Sequence, residues 1–113
     1  MDAYNANPSS TRLALENFNE INHEQKIVIL GDMFELGAAS DKEHQNIVDL
    51  CDTLSLNRCV FVGKHYSKTS AAEKYLTVES LIKSITDTPL ENSCILIKGS
   101  RGMYLEQLLE CIN

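Results

Sequence analysis

Short apolar runs alternate with amphipathic stretches along this chain. Lys26-Ile27-Val28-Ile29-Leu30 is β-branched without polar alternation, the pattern of a strand buried on both faces of a parallel sheet, and it stops at Gly31. Cys59-Val60-Phe61-Val62 repeats that pattern and ends at Gly63, and Cys94-Ile95-Leu96-Ile97 repeats it again before Lys98-Gly99-Ser100-Arg101-Gly102. Between the runs the spacing turns helical. Asn7 followed by Pro8 suits an N-cap and first helical position. Thr11, Ala14, Leu15, Phe18 and Ile21 then keep the i, i+3, i+4, i+7 stripe of a helix over about residues 9–22. Ser40 and Glu43 have the spacing of a capping box, which predicts a helix over 41–55 with Ile47, Val48, Cys51 and Leu54 inward and His44 one turn nearer its start. Ser67 to Lys74 reads as a short helix and Tyr75-Leu76 as a minor strand. Thr77 caps a helix that turns Val78, Leu81, Ile82 and Ile85 inward, and Asp87 to Ser93, with Pro89, reads as a loop. A last helix over 103–112 places Leu105, Leu108, Leu109 and Ile112 on its core face.

Strands alternating with helices imply an α/β fold. The expected architecture is a Rossmann-like, doubly wound, mostly parallel sheet with helices on both faces and 27–30, 59–62 and 94–97 as central strands. A length of 113 residues accommodates one hydrophobic core, so residues 1–113 read as a single domain. Ten basic against sixteen acidic residues give a net charge of −6. That balance disfavours a nucleic-acid binder or an adhesive for anionic lipid and points to a small-molecule or protein partner. The longest apolar run, Ile27 to Leu30, is far short of the ~20 residues that span a bilayer, so no membrane association and a cytoplasmic location are expected. Cysteines at 51, 59, 94 and 111 lie beside aliphatic residues with no Cys-x-x-Cys pair, which reads as buried thiols rather than a metal site.

In a doubly wound sheet, function gathers where strands end at their carboxyl side. Three loops meet that description: Gly31-Asp32-Met33-Phe34-Glu35-Leu36-Gly37, Gly63-Lys64-His65 and Lys98-Gly99-Ser100-Arg101. Glycine lets backbone approach a ligand, Lys and Arg neutralise carboxylate or phosphate, and amides ahead of a helix bind anionic oxygen, so the edge reads as an anion site. Each loop also has a plainer reading as a strand-end turn with solvated charges. Asp32 would then cap a turn, Glu35 would be a solvated acid and His44 a hydrogen-bonded core imidazole. Neither Gly-x-x-x-x-Gly-Lys-Ser/Thr nor Gly-x-Gly-x-x-Gly is present, so a nucleotide would need another domain to hold it.

The strings Asp2-Ala3-Tyr4-Asn5-Ala6-Asn7-Pro8-Ser9-Ser10, Leu30-Gly31-Asp32-Met33-Phe34-Glu35-Leu36-Gly37, His44 and Lys98-Gly99-Ser100-Arg101-Gly102-Met103 together resemble the carboxy-terminal domain of the Mur ligases. Within that family the chain is most similar to the members that join D-alanyl-D-alanine to UDP-N-acetylmuramoyl-tripeptide in peptidoglycan precursor synthesis. The resemblance implies a domain excised from a three-domain ligase of cell-wall biogenesis, with cell shape and division depending on its product. The upstream domains would then be partners of this chain, holding the UDP-sugar peptide and most of the contacts to ATP and Mg2+. It implies activation of a carboxylate as an acyl phosphate and attack by the dipeptide amine. By the same resemblance, Asp2, Tyr4, Asn5 and Asn7 contact the nucleotide, and Asp32, Glu35 and His44 face the acceptor. Lys98, Ser100 and Arg101 hold anionic oxygen, foremost the dipeptide carboxylate. No catalytic residue and no metal ligand fall within the chain, which alone would be inactive and monomeric, or self-associated through an exposed sheet edge. Phe34 stands where leucine or glycine is expected and Ser10-Thr11 where Ser-Met is common. Two other readings stay open: a stand-alone α/β module for a small anionic metabolite, and a domain like the carboxy-terminal one of folylpolyglutamate synthases.

Overall fold

A computed structural model describes residues 6–99. Helix α1 (Pro8–Asn19) leads into strand β1 (Lys26–Gly31), and a 3-10 turn (Gly37–Ala39) runs directly into α2 (Ser40–Asp52). Strand β2 (Arg58–Val62), a second 3-10 turn (Tyr66–Lys68), the short β3 (Lys74–Tyr75), α3 (Val78–Asp87) and β4 (Cys94–Lys98) follow. The strands form one sheet in the order β3-β2-β1-β4, every pair parallel, with Val28 opposite Cys59 on one side and Leu96 on the other. Because side chains alternate along a strand, each apolar run feeds two cores. Val28, Leu30 and Phe61 pack against Leu15 and Phe18 of α1 and Ile47, Val48 and Cys51 of α2. Ile27, Ile29, Val60 and Val62 pack against Val78, Leu81 and Ile85 of α3. This burial on both faces explains why β1 carries no polar alternation.

The expected α/β class, the parallel strands and the Thr77-capped helix are all present, with the Thr77 hydroxyl accepting from Ser80 N–H at 3.1 Å. Several details differ. α1 stops at Asn19 and leaves Ile21 exposed, because the Asn19 carbonyl accepts from the Lys26 ammonium (2.9 Å) and its side chain accepts from Ser55 N–H (2.8 Å), which diverts the chain towards β1. The Ser40–Glu43 capping box does not form. Ala39 is the N-cap, without a side-chain bond, since the preceding 3-10 turn already supplies the first amides with backbone acceptors. The helix ends at Asp52, with Leu54 beyond it. The helix anticipated over 67–74 is a single 3-10 turn closed by the Thr69 hydroxyl on the Tyr66 carbonyl (2.6 Å), and the minor strand starts one residue earlier, leaving Leu76 exposed. Strand β4 is an outer strand among the described residues and half-buried rather than central. Of the cysteines, Cys51 is buried and Cys59 and Cys94 are half-buried. Cys111, the helix expected over 103–112 and its Leu108 lie outside the described residues.

Candidate functional site at the carboxyl edge of the sheet

β1 delivers Asp32 to the carboxyl edge, where its amide donates to the Val62 carbonyl at 3.2 Å and so continues the β1–β2 pairing by one residue. Its carboxylate is almost wholly buried. It accepts from two consecutive amides, His65 N–H (2.9 Å) and Tyr66 N–H (3.0 Å), at the entry to the turn that follows β2. Gly63 makes this approach feasible: its φ is 127°, a region side chains avoid, and a Cβ there would overlap the Asp32 carboxylate. The residue thus ties the loop after β1 to the loop after β2, the turn-capping role that is the plainer reading of its position.

The next residue is held from α2. Met33 N–H donates to His44 Nε2 at 3.0 Å, and His44 Nδ1 lies 2.7 Å from the Ser40 carbonyl, one helical turn back. Nε2 accepts, so the proton sits on Nδ1 and the ring is neutral. Burial is the main cause of a pKa below the ordinary histidine value, against smaller opposing contributions from the Ser40 carbonyl and Asp32. The 4.0 Å separation between His44 Nε2 and Asp32 is therefore a contact between a neutral ring and a carboxylate, not an ion pair. His65 stacks on His44, centroids 5.0 Å apart, and the Ser40 hydroxyl lies within 3.3 Å of Nδ1 on His44 and 3.2 Å of Nδ1 on His65. Phe34 meets His65 edge-on at 6.5 Å and is partly exposed. Glu35 is exposed at the loop tip with φ 64°.

α1 begins at the same edge. Asn7 accepts from Ser10 N–H (2.9 Å) as N-cap, and the Thr11 hydroxyl donates to Met33 Sδ at 3.8 Å, joining the helix start to the β1 loop. Lys98 closes β4 opposite Leu30, half-buried, and Lys64 is exposed beside Gly63. Asp32, His44, Asn7 and Lys98 thus converge on one edge, with Glu35 at its rim. Asp2, Tyr4, Asn5, Ser100 and Arg101 lie outside the described residues. Ser40 and His65 are structural members of the cluster that the sequence reading left out of the site. Glycine before Lys64-His65 marked the loop, but nothing in the order of residues discloses a ring stacked across 21 positions.

The described part of this edge is built to position loops and present cations. Its one buried imidazole has both nitrogens engaged, and its buried carboxylate is filled by amides. No group of three or more His, Cys, Asp or Glu side chains that could hold a metal ion occurs among the described residues. No described helix is long and apolar enough to cross a membrane.

Residues 1–101 match the family model described as "Mur ligase, glutamate ligase domain". The chain is 34% identical to the UDP-N-acetylmuramoyl-tripeptide--D-alanyl-D-alanine ligase of Rickettsia prowazekii, a match covering 96% of this chain and 26% of that protein. Among solved structures, MurF from Acinetobacter baumannii superposes with a TM-score of 0.73 at 30% identity, over 96% of this chain and 26% of that one. The MurF ligase of Thermotoga maritima, solved in complex with ADP, gives 0.77 at 21% identity, over 97% of this chain and 26% of that one, a likeness of fold. The chain therefore spans about a quarter of the length of the proteins it matches.

Proposed function

The chain belongs to the Mur ligase glutamate ligase domain family, and from that membership we propose that it is the carboxy-terminal domain of an ATP-dependent ligase joining D-alanyl-D-alanine to UDP-N-acetylmuramoyl-tripeptide. The observation that carries the proposal is similarity to such ligases over 96% of the chain, with the described parts of the motif-bearing loops gathered on one sheet edge. In this reading the substrate carboxylate is activated as an acyl phosphate and the dipeptide amine attacks it, with ATP supplying the phosphoryl group. Both steps create or move negative charge on oxygen, which preorganised donors and cations stabilise. The edge fits that demand. Lys64 and Lys98 stand there, and the Asp32 carboxylate, which would otherwise repel an anion, is buried under two amides.

The domain's part is binding and orientation. Asp2, Tyr4, Asn5 and Asn7 serve the nucleotide side, and Lys98, Ser100 and Arg101 the dipeptide carboxylate, for which a guanidinium offers two parallel donors. Glu35 and the loop carrying Asp32 face the acceptor, and His44 acts on that loop from beneath through the Met33 amide. Magnesium does not fit the described residues and is assigned to the remainder of the longer enzyme, together with most ATP contacts. The reaction belongs to the cytoplasm.

Steady-state kinetics of the enzyme carrying this domain test the division. Arg101→Lys keeps the charge and loses the fork, so the dipeptide KM rises markedly while the ATP KM and the melting temperature stay close to wild type. A collapse in thermal stability would make Arg101 a structural residue. A rise in the ATP KM alone would assign its loop to the nucleotide.

A further inference from the structure

Away from the carboxyl edge, beneath the other end of α2, two thiols from different elements share one cavity. Cys51 lies in the last turn of α2 and Cys59 is the second residue of β2. Both thiols are free, and Cys59 packs against the core cluster that holds Cys51. A cavity of about 380 Å3 is lined by both, together with Val48, Arg58, Phe61 and Ala71. Cys51 is buried and Cys59 half-buried, so the second is the one a solute reaches first.

We infer that Cys51 and Cys59 form a reversible dithiol–disulfide site, oxidised by hydrogen peroxide that enters this cavity. The roles of the two sulfurs follow from their unequal exposure. Cys59 is the more exposed of the two and its neighbour Cys51 lowers its pKa, while burial and the same neighbour hold the proton on Cys51. Cys59 is thus the attacking sulfur and Cys51 the resolving one. The Cys59 thiolate attacks a peroxide oxygen, the O–O bond breaks, and the departing hydroxide takes up a proton to leave as water. Cys59 is now a sulfenic acid. The Cys51 sulfur attacks it, an S–S bond forms as the S–O bond breaks, and a second water carries off the Cys51 proton. Two thiols have lost two electrons and the peroxide has gained them.

The bond would tie the end of α2 to β2 and close the loop between residues 51 and 59. α2 is also the helix whose first turn, through His44, holds the Met33 loop.

The test is peptide mapping of the 113-residue chain after treatment with hydrogen peroxide. Trypsin cuts after Arg58, so a 51–59 disulfide joins peptide 43–58 to peptide 59–64, with the loss of two hydrogens and full reversal by dithiothreitol. In Cys51→Ala the sulfenic acid on Cys59 persists and is trapped by dimedone, and iodoacetamide at neutral pH labels Cys59 several-fold more slowly than in wild type. Cys51→Ser gives the same trapping should the alanine variant fold poorly. Direct passage of wild-type Cys59 to sulfinic acid overturns the inference, as does a disulfide from Cys59 to Cys94 or between chains. Labelling of Cys94 ahead of Cys59 overturns the assignment of the attacking thiol.

Discussion

At the scale of single residues, His44 shows how a side chain can belong to a functional edge without facing its ligand. Its Nδ1–H is spent on the Ser40 carbonyl and its Nε2 on the Met33 amide, so protonation would break the second bond and place a charge in the core. The sign of the linkage follows. Burial lowers the folded-state pKa below the ordinary 6.5, so below that pH the unfolded chain binds the extra proton and the folded chain does not. The stability His44 contributes is complete above the unfolded value and is lost as pH falls from it towards the folded one. Urea midpoints measured between pH 7 and pH 5 should therefore decline. In His44→Gln that slope should flatten, on a lower overall stability from the unsatisfied Met33 amide. An unchanged slope in the variant would assign the decline to other groups.

At the scale of elements, sequence pattern and local chemistry agree best where one helix face meets one strand face. α1 is capped by Asn7 and Ser10 reciprocally and lays Leu15 and Phe18 on the sheet, yet its far end is set by Lys26 and Ser55, residues of other segments. Its exposed Leu13 lies on the solvent side. Leu15 is fully buried, so Leu15→Ala should cost about 2–5 kcal/mol by chemical denaturation, a large share of a small domain's stability. Leu13→Ala serves as the control and should stay within about 0.5 kcal/mol of wild type, as exposed positions do. Equal losses at both positions would contradict the face assigned to α1. The Arg58–Glu73 pair, joined also by Tyr75, is part-exposed and is expected to contribute little beyond fixing β3 beside β2.

At the scale of the molecule, the described residues form a four-stranded parallel sheet with α1 and α2 on one face and α3 on the other, which brings the ends of β1, β2 and β4 to a common edge. That edge carries cations and anchored loops but, among its described residues, no metal cluster, and the sequence holds no P-loop. A preparation of the 113-residue chain given ATP, magnesium, the UDP-linked tripeptide and D-alanyl-D-alanine should form no amide and release no phosphate above background, as read by chromatography of the nucleotide-sugar product. Turnover by the chain alone would overturn the assignment of its role as binding and orientation.

The order of residues was sufficient for the class of fold, because burial on both faces of a parallel strand leaves uninterrupted apolar runs at 27–30 and 59–62, a run of the same kind marks an outer strand at 94–97, and helices betray themselves by spacing. It was also sufficient for the family, since the strings around Asn7, Asp32 and Lys98 are local. Three things required the folded chain. The end of α1 depended on a lysine seven residues onward and a serine 36 onward. The start of α2 was decided by a turn that made the Ser40 hydroxyl unnecessary as a cap and free to meet His44 and His65. The place of Asp32 beneath two amides, and of Cys51 against Cys59, arose from segments brought together by packing. Periodicity reports which face of an element is buried, whereas the partner that face meets is a property of the whole chain's arrangement, and only tertiary contact selects it.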